Sequence, residues 1–140
     1  MAKSSTKNKV IRDCQYTSEK VEVKPSPGKG RGVFARVDIV KGDLIECAPV
    51  LMIRQQDEAF VLSSQLGHYA FGVLVGKDEY SCLGLGYTSF YNHAKRCNAD
   101  YVTSPESIII YADKNIKAGT EITIDYGWLK DQYKEVGMKG

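Results

Sequence analysis

Apolar and polar positions alternate at period two over several short stretches of the chain, and almost nowhere recur at helical spacing. Val21-Glu22-Val23-Lys24 alternates, and Val33-Phe34-Ala35 resumes a strand after an intervening break. That break, Pro25-Ser26-Pro27-Gly28-Lys29-Gly30-Arg31-Gly32, reads as a loop. Lys41-Gly42-Asp43 is a turn, followed by an apolar stretch from Leu44 to Ile53. Asp57 is placed to cap a short helix running through Leu66. Tyr69 to Val75 reads as a strand with its turn at Gly76-Lys77-Asp78. Tyr80 to Tyr91 is rich in glycine and aromatics, and Ser107 to Ala112 is a β-branched strand. Asn115 to Gly119 is a turn, and Thr120 to Tyr126 alternates again. The pattern predicts a mostly β fold of short strands and irregular loops, with no internal repeat. Residues 1–20 read as a basic N-terminal arm whose first residues, up to Lys9, lack any periodicity.

Composition narrows the class. The chain has 140 residues, 43% hydrophobic and 26% charged, which is one globular domain and not a disordered, collagen-like or coiled-coil sequence. A net charge of +2 excludes a polyanion binder that works by bulk charge. No apolar run approaches the roughly 18 residues of a membrane span. Polar and basic residues follow Met1 with no apolar signal region, so an intracellular protein is expected, cytoplasmic or, for a viral or intracellular bacterial source, in the host nucleus. Cys14, Cys47, Cys82 and Cys97 contain no C-x-x-C pair, and in that setting reduced, structural thiols are expected. His68 and His93 form no H-x-x-x-H pair, so no metal site is expected.

Three segments carry candidate chemistry. Gly28-Lys29-Gly30-Arg31-Gly32 lacks both the G-K-[S/T] ending of a phosphate loop and the G-x-G-x-x-G spacing of a dinucleotide fold. Its glycines still mark a close backbone approach or a tight strand connection. Asn92-His93, flanked by Ser89-Phe90-Tyr91, suggests a pocket, although a lone histidine also serves as a hydrogen-bonded structural residue. Glu121-Ile122-Thr123-Ile124-Asp125-Tyr126-Gly127-Trp128, taken alone, is a strand ending in aromatics.

Their order is more telling than any one of them. G-K-G-R-G-V-F-A, then Y-N-H-A-K-R-C-N-A, then E-I-T-I-D-Y-G resembles the SET-domain protein lysine methyltransferases, which carry a GxG loop, an N-H-S-x-x-P-N type motif and an E-x-x-x-D-Y motif in that order. The resemblance spans Val21 to Trp128 and is nearest to the short stand-alone members of viruses, bacteria and archaea. It implies several small sheets with a pseudoknot-like crossing near the C-terminus: a SET domain over residues 21–127 and a closing segment over 128–140. Two positions depart from the motif, Ala94 for its Ser and Cys97 for its Pro. Loss of the Ser hydroxyl removes a hydrogen bond worth about 1 kcal/mol at the crossing. No post-SET cysteine cluster follows Asp125.

The resemblance further implies S-adenosyl-L-methionine as cofactor, no metal, and a lysine of a histone or another small basic chromatin protein as substrate. Tyr126 would orient the lysine nitrogen, and Tyr69 would border cofactor and channel. Lys29, Gly30, Arg31 and Gly32 would meet the methionine end of the cofactor, and Asn92 and His93 its adenine side. Ile124, two residues before Tyr126, would gate the substrate channel; lacking a hydroxyl to hold water, it implies di- or trimethylation. Trp128 and Tyr133 would form the aromatic lid, or equally C-terminal core. A homodimer is compatible with so short a chain. Two other readings stay open: a catalytically inactive binding module of the same fold, and a small chromatin- or nucleic-acid-associated protein using the arm and Lys95-Arg96.

Overall fold

The structure, a computed structural model, describes residues 19–127. Strand β1 (Val21–Ser26) turns back into β2 (Gly30–Ala35) in an antiparallel hairpin. The Lys29 N–H donates to the Ser26 carbonyl at 3.0 Å, closing a turn with Pro27 and Gly28 at its centre. Proline presets the first central position, and Gly28, at φ +75°, supplies the left-handed second one. The segment Pro25–Gly32, read above as a loop, is therefore mostly strand. Glycine composition hid this, because the stability that these residues lack comes from pairing with β1, and from β9 only further along at Val33 and Phe34.

Further along are β3 (Leu44–Met52), helix α1 (Gln55–Ser63), a single helical turn (Gln65–Tyr69), β4 (Ala70–Val75), β5 (Asp78–Gly84) and a short turn (Thr88–Phe90). The last strands are β6 (Asn92–His93), β7 (Ala99–Thr103), β8 (Ser107–Ala112) and β9 (Glu121–Ile124). They form a four-stranded sheet in the order β1-β2-β9-β6 and a five-stranded sheet in the order β4-β5-β3-β8-β7. Every residue of β8 is buried, as its unbroken Ile108-Ile109-Ile110 run requires of a strand covered on both faces. Val33, Ile45, Ile110, Ile122 and Ile124 are at most 1% exposed and belong to one core cluster. An isolated bridge between Ile39 and Ile116 ties two turn regions together.

Three expectations are corrected. The helix begins at Gln55, with Arg54 and not Asp57 preceding it, and it ends at Ser63. Asp57 instead accepts from Arg54 Nε at 2.6 Å. Tyr69 closes a helical turn ahead of β4 rather than opening the strand. Cys47 is disulfide-bonded, whereas Cys82 and Cys97 are free; spacing along a chain carries no information on which thiols folding brings together.

The crossing is built around β9. It lies antiparallel to β2 on one edge and parallel to β6 on the other, pairing Asn92 with Thr123 and His93 with Ile124. Beyond β6 the chain loops through residues 94–98 and returns to the same strand. Asn98 Nδ2 donates to the Glu121 carbonyl at 2.9 Å, and its Oδ1 accepts from the Thr123 N–H at 3.0 Å. One side-chain amide thus imitates a strand partner. At Ala94, where the family motif has Ser, only the backbone contributes, through an N–H to the Ile124 carbonyl at 3.1 Å.

Candidate active site

Tyr126 follows directly from β9 and is fixed at two points. Its backbone N–H donates to His93 Nδ1 at 3.1 Å, and its hydroxyl donates to the Tyr91 carbonyl at 2.7 Å. The His93 and Tyr126 rings lie 5.2 Å apart at a 48° tilt. A cavity of about 180 Å³ opens beside this tyrosine, with Tyr69, Phe71, Tyr91 and Tyr101 among its walls. Phe71 and Tyr101 meet edge to face at 5.3 Å, and Thr103 Oγ1 donates to the Gly72 carbonyl at 2.7 Å, drawing β7 against β4. A pocket walled by aromatic rings suits an alkyl ammonium or amine stem.

His93 is buried, and burial holds its pKa below the ordinary imidazole value. The Asp125 carboxylate, 3.7 Å away, opposes that shift, while the charge of Lys29 adds to it. The ring is therefore neutral at physiological pH, as an acceptor at Nδ1 requires. Lys29 and His93 share one electrostatic locale although 64 positions separate them in the chain (93 − 29 = 64).

A second cluster adjoins the first. Asn92 Nδ2 donates to the Arg31 carbonyl at 3.0 Å and to Glu121 Oε2 at 2.7 Å, while Glu121 Oε1 accepts from Ser26 Oγ at 2.8 Å. A β-carbon on Gly32 would lie 2.5 Å from Glu121 Oε2, so glycine is what lets the carboxylate reach across the hairpin. Arg31 stacks over Phe90 at 5.2 Å.

The structure thus brings Tyr69 and Tyr126 to one cavity, Arg31, Gly32 and Asn92 to one hydrogen-bonded node, and His93 to the seam between them. Ile124 is fully buried in the core cluster against which Tyr126 packs, and is not among the cavity's walls. Trp128 and Tyr133 lie outside the described residues. Phe71, Tyr91 and Tyr101 were missed as site residues, and Glu121 was quoted in its motif without a role. Tyr91 adjoins the quoted Asn92, but Phe71 and Tyr101 reach the cavity only through the pairing of distant strands.

The residues present fit the implied cofactor. The exposed, open backbone at Gly30 and the Lys29 ammonium offer donors and a cation to an amino-acid carboxylate. Among the described residues no cluster of side chains could hold a metal ion.

The SET-domain model matches residues 30–127. The chain belongs to the SET-domain family. A Schizosaccharomyces pombe relative, named histone-lysine N-methyltransferase, H3 lysine-37 specific, is 31% identical over 118 residues, covering 80% of this chain and 78% of its own. The histone-lysine N-methyltransferase SET9 of Yarrowia lipolytica is 33% identical over 96 residues, 67% of this chain but 10% of that protein. A solved Plasmodium falciparum structure, described as a histone methyltransferase, matches with a TM-score of 0.63 and 32% identity, covering 79% of this chain and 95% of that one. The Neurospora SET-domain protein DIM-5 matches at a TM-score of 0.62 with 20% identity over 78% of this chain and 52% of its own, which shows the shared fold. The three SET motifs map onto the elements described: the GxG segment opens β2, the Asn-His pair is β6, and the Asp-Tyr pair follows β9.

Proposed function

We propose that this SET-domain chain is a protein-lysine methyltransferase that uses S-adenosyl-L-methionine and acts on a histone or a similarly small, basic chromatin protein. The observation that carries the reading is Tyr126: a hydroxyl held at 2.7 Å on a backbone carbonyl, at the wall of an aromatic cavity. The names of the Schizosaccharomyces and Plasmodium proteins support the substrate class. The cofactor supplies an electrophilic methyl group. The rest falls to the chain. A free lysine amine has a pKa of about 10.4 and attacks only when neutral. A ring-lined cavity that takes the amine out of bulk water disfavours the ammonium form and aligns the nitrogen. An intact Tyr126 at this cavity favours catalysis over an inactive binding module.

The test is mass spectrometry of histones and total basic proteins after incubation with isotope-labelled cofactor. Labelled lysine supports the reading; a cofactor-binding protein that labels nothing supports the binding module instead. Asn92→Ala is expected to weaken cofactor affinity by about tenfold, since it releases the Arg31 carbonyl and strips a partner from the half-buried Glu121 carboxylate. Unchanged affinity, read by isothermal titration, would remove Asn92 from the cofactor node.

Saturated reactions are expected to yield di- and trimethyl-lysine. Tyr126 and Tyr91 spend their hydroxyl protons within the protein, and Ile124, buried in the core on which Tyr126 packs, adds no hydroxyl to hold a water beside that ring. Ile124→Tyr should lower the melting temperature, because position 124 is fully buried and the larger ring overpacks it, and should shift product toward monomethyl-lysine if the ring is displaced from the core far enough for its hydroxyl to reach the cavity. Wild-type product stalled at one methyl with excess cofactor would overturn the assignment.

A further inference from the structure

Glu46 lies on β3, directly after an irregularity in its pairing with β8, in the middle of the apolar Leu44–Ile53 stretch. It is 1% exposed. Among the described residues no lysine, arginine or histidine pairs with it. An acid in such a place is costly unless its oxygens are used, and both are. Oε1 accepts from the Tyr91 hydroxyl at 2.8 Å, and Oε2 accepts from the Tyr87 N–H at 2.8 Å. Gly86 is shaped for this contact: its φ is +66°, and a β-carbon there would lie 2.6 Å from Oε2. Burial raises the carboxyl's pKa, and the two donated hydrogen bonds oppose that rise.

Tyr87 and Tyr91 bracket the Thr88–Phe90 turn. That turn contributes Thr88 and Ser89 to the cavity wall and leads straight into Asn92 and His93. Its last flanking residue, Tyr91, presents the carbonyl on which the Tyr126 hydroxyl rests at 2.7 Å. The chain of contacts runs from a core carboxylate, through the two ends of one turn, to the orientation of one hydroxyl.

We propose that Glu46 is a positioning residue: its carboxylate clamps both ends of the Thr88–Phe90 turn and so fixes the Tyr91 carbonyl that orients the Tyr126 hydroxyl. The role of that hydroxyl in methyl transfer rests on the reading above; the clamp itself does not. Two variants test it without emptying the core. Tyr91→Phe deletes one arm and keeps the ring. Glu46→Gln keeps an acceptor for the Tyr87 N–H but reverses the bond to Tyr91, so a partial effect is expected.

The first readout is nuclear magnetic resonance of protein labelled at the tyrosine ζ-carbon, with the Tyr126 signal assigned by its absence in Tyr126→Phe. The Tyr126 signal should move in Tyr91→Phe and move less in Glu46→Gln. A signal unmoved in both variants overturns the proposal, whether or not the protein methylates anything offered to it. The second readout is a double-mutant cycle on methyl transfer. Tyr91→Phe should lower kcat about fivefold with Tyr126 present and about twofold or less in the Tyr126→Phe background, with the KM for cofactor unchanged. An equal loss in both backgrounds would mark a general packing role and overturn the proposal. Wild-type protein that labels no histone would count against the methyltransferase reading and leave the resonance result to decide the clamp.

Discussion

Tyr126→Phe should lower turnover at least about tenfold while leaving the fold and the cofactor affinity nearly unchanged. The substitution removes one oxygen from a half-buried ring and nothing else. The backbone N–H still reaches His93 Nδ1, and the ring still packs against the imidazole at 5.2 Å. The lost hydrogen bond to the Tyr91 carbonyl is worth about 1 kcal/mol of stability, too little to unfold a domain. What disappears is the group that holds direction at the cavity wall. Steady-state methyl transfer and isothermal titration of cofactor on the same preparation separate the two effects. Wild-type turnover in the variant would remove Tyr126 from the mechanism, and a large loss of cofactor affinity would make its role one of binding.

Asn98→Ala should lower the melting temperature by on the order of 10 °C. Asn98 is the only side chain, among the described residues, that both donates to and accepts from the β9 backbone, at the Glu121 carbonyl and the Thr123 N–H. Alanine leaves two partly buried backbone groups without protein partners, each costing about 1–3 kcal/mol. Because β9 also carries Glu121 and leads into Tyr126, activity should fall with stability. Asn98→Asp keeps the acceptor for Thr123 and loses the donor to Glu121, so an intermediate melting temperature is expected by circular dichroism. A melting temperature unchanged in Asn98→Ala would show that β6 and β2 hold β9 without the returning loop.

Some of this was legible in the residues alone. Period-two alternation located β1, the end of β2, and β9, and the buried Ile108–Ile110 run located β8, because side-chain direction in a strand is set by local geometry. The ordered motifs identified the family, since Gly32, Asn92, His93 and Tyr126 each do a job that few residue types can do. The limits were equally physical. The Pro25–Gly32 segment looked like a loop because glycine and proline weaken a strand that hairpin pairing with β1 then stabilises. The two-residue strand Asn92–His93 has no periodicity to detect, and it exists only because β9 lies parallel beside it.

The sequence by itself therefore determined the strand-rich class and the family, and singled out Tyr126 as the candidate tyrosine. The tertiary structure alone decided what surrounds that tyrosine. It brought Phe71 and Tyr101 to one wall through the approach of β4 and β7, joined Ser26, Arg31, Asn92 and Glu121 in one node, and buried Ile124 in the core behind the cavity. It also set a lone carboxylate, Glu46, beneath the Thr88–Phe90 turn. Contacts between residues dozens of positions apart depend on sheet order and register. Those are fixed by the burial of the whole core rather than by any local pattern along the chain.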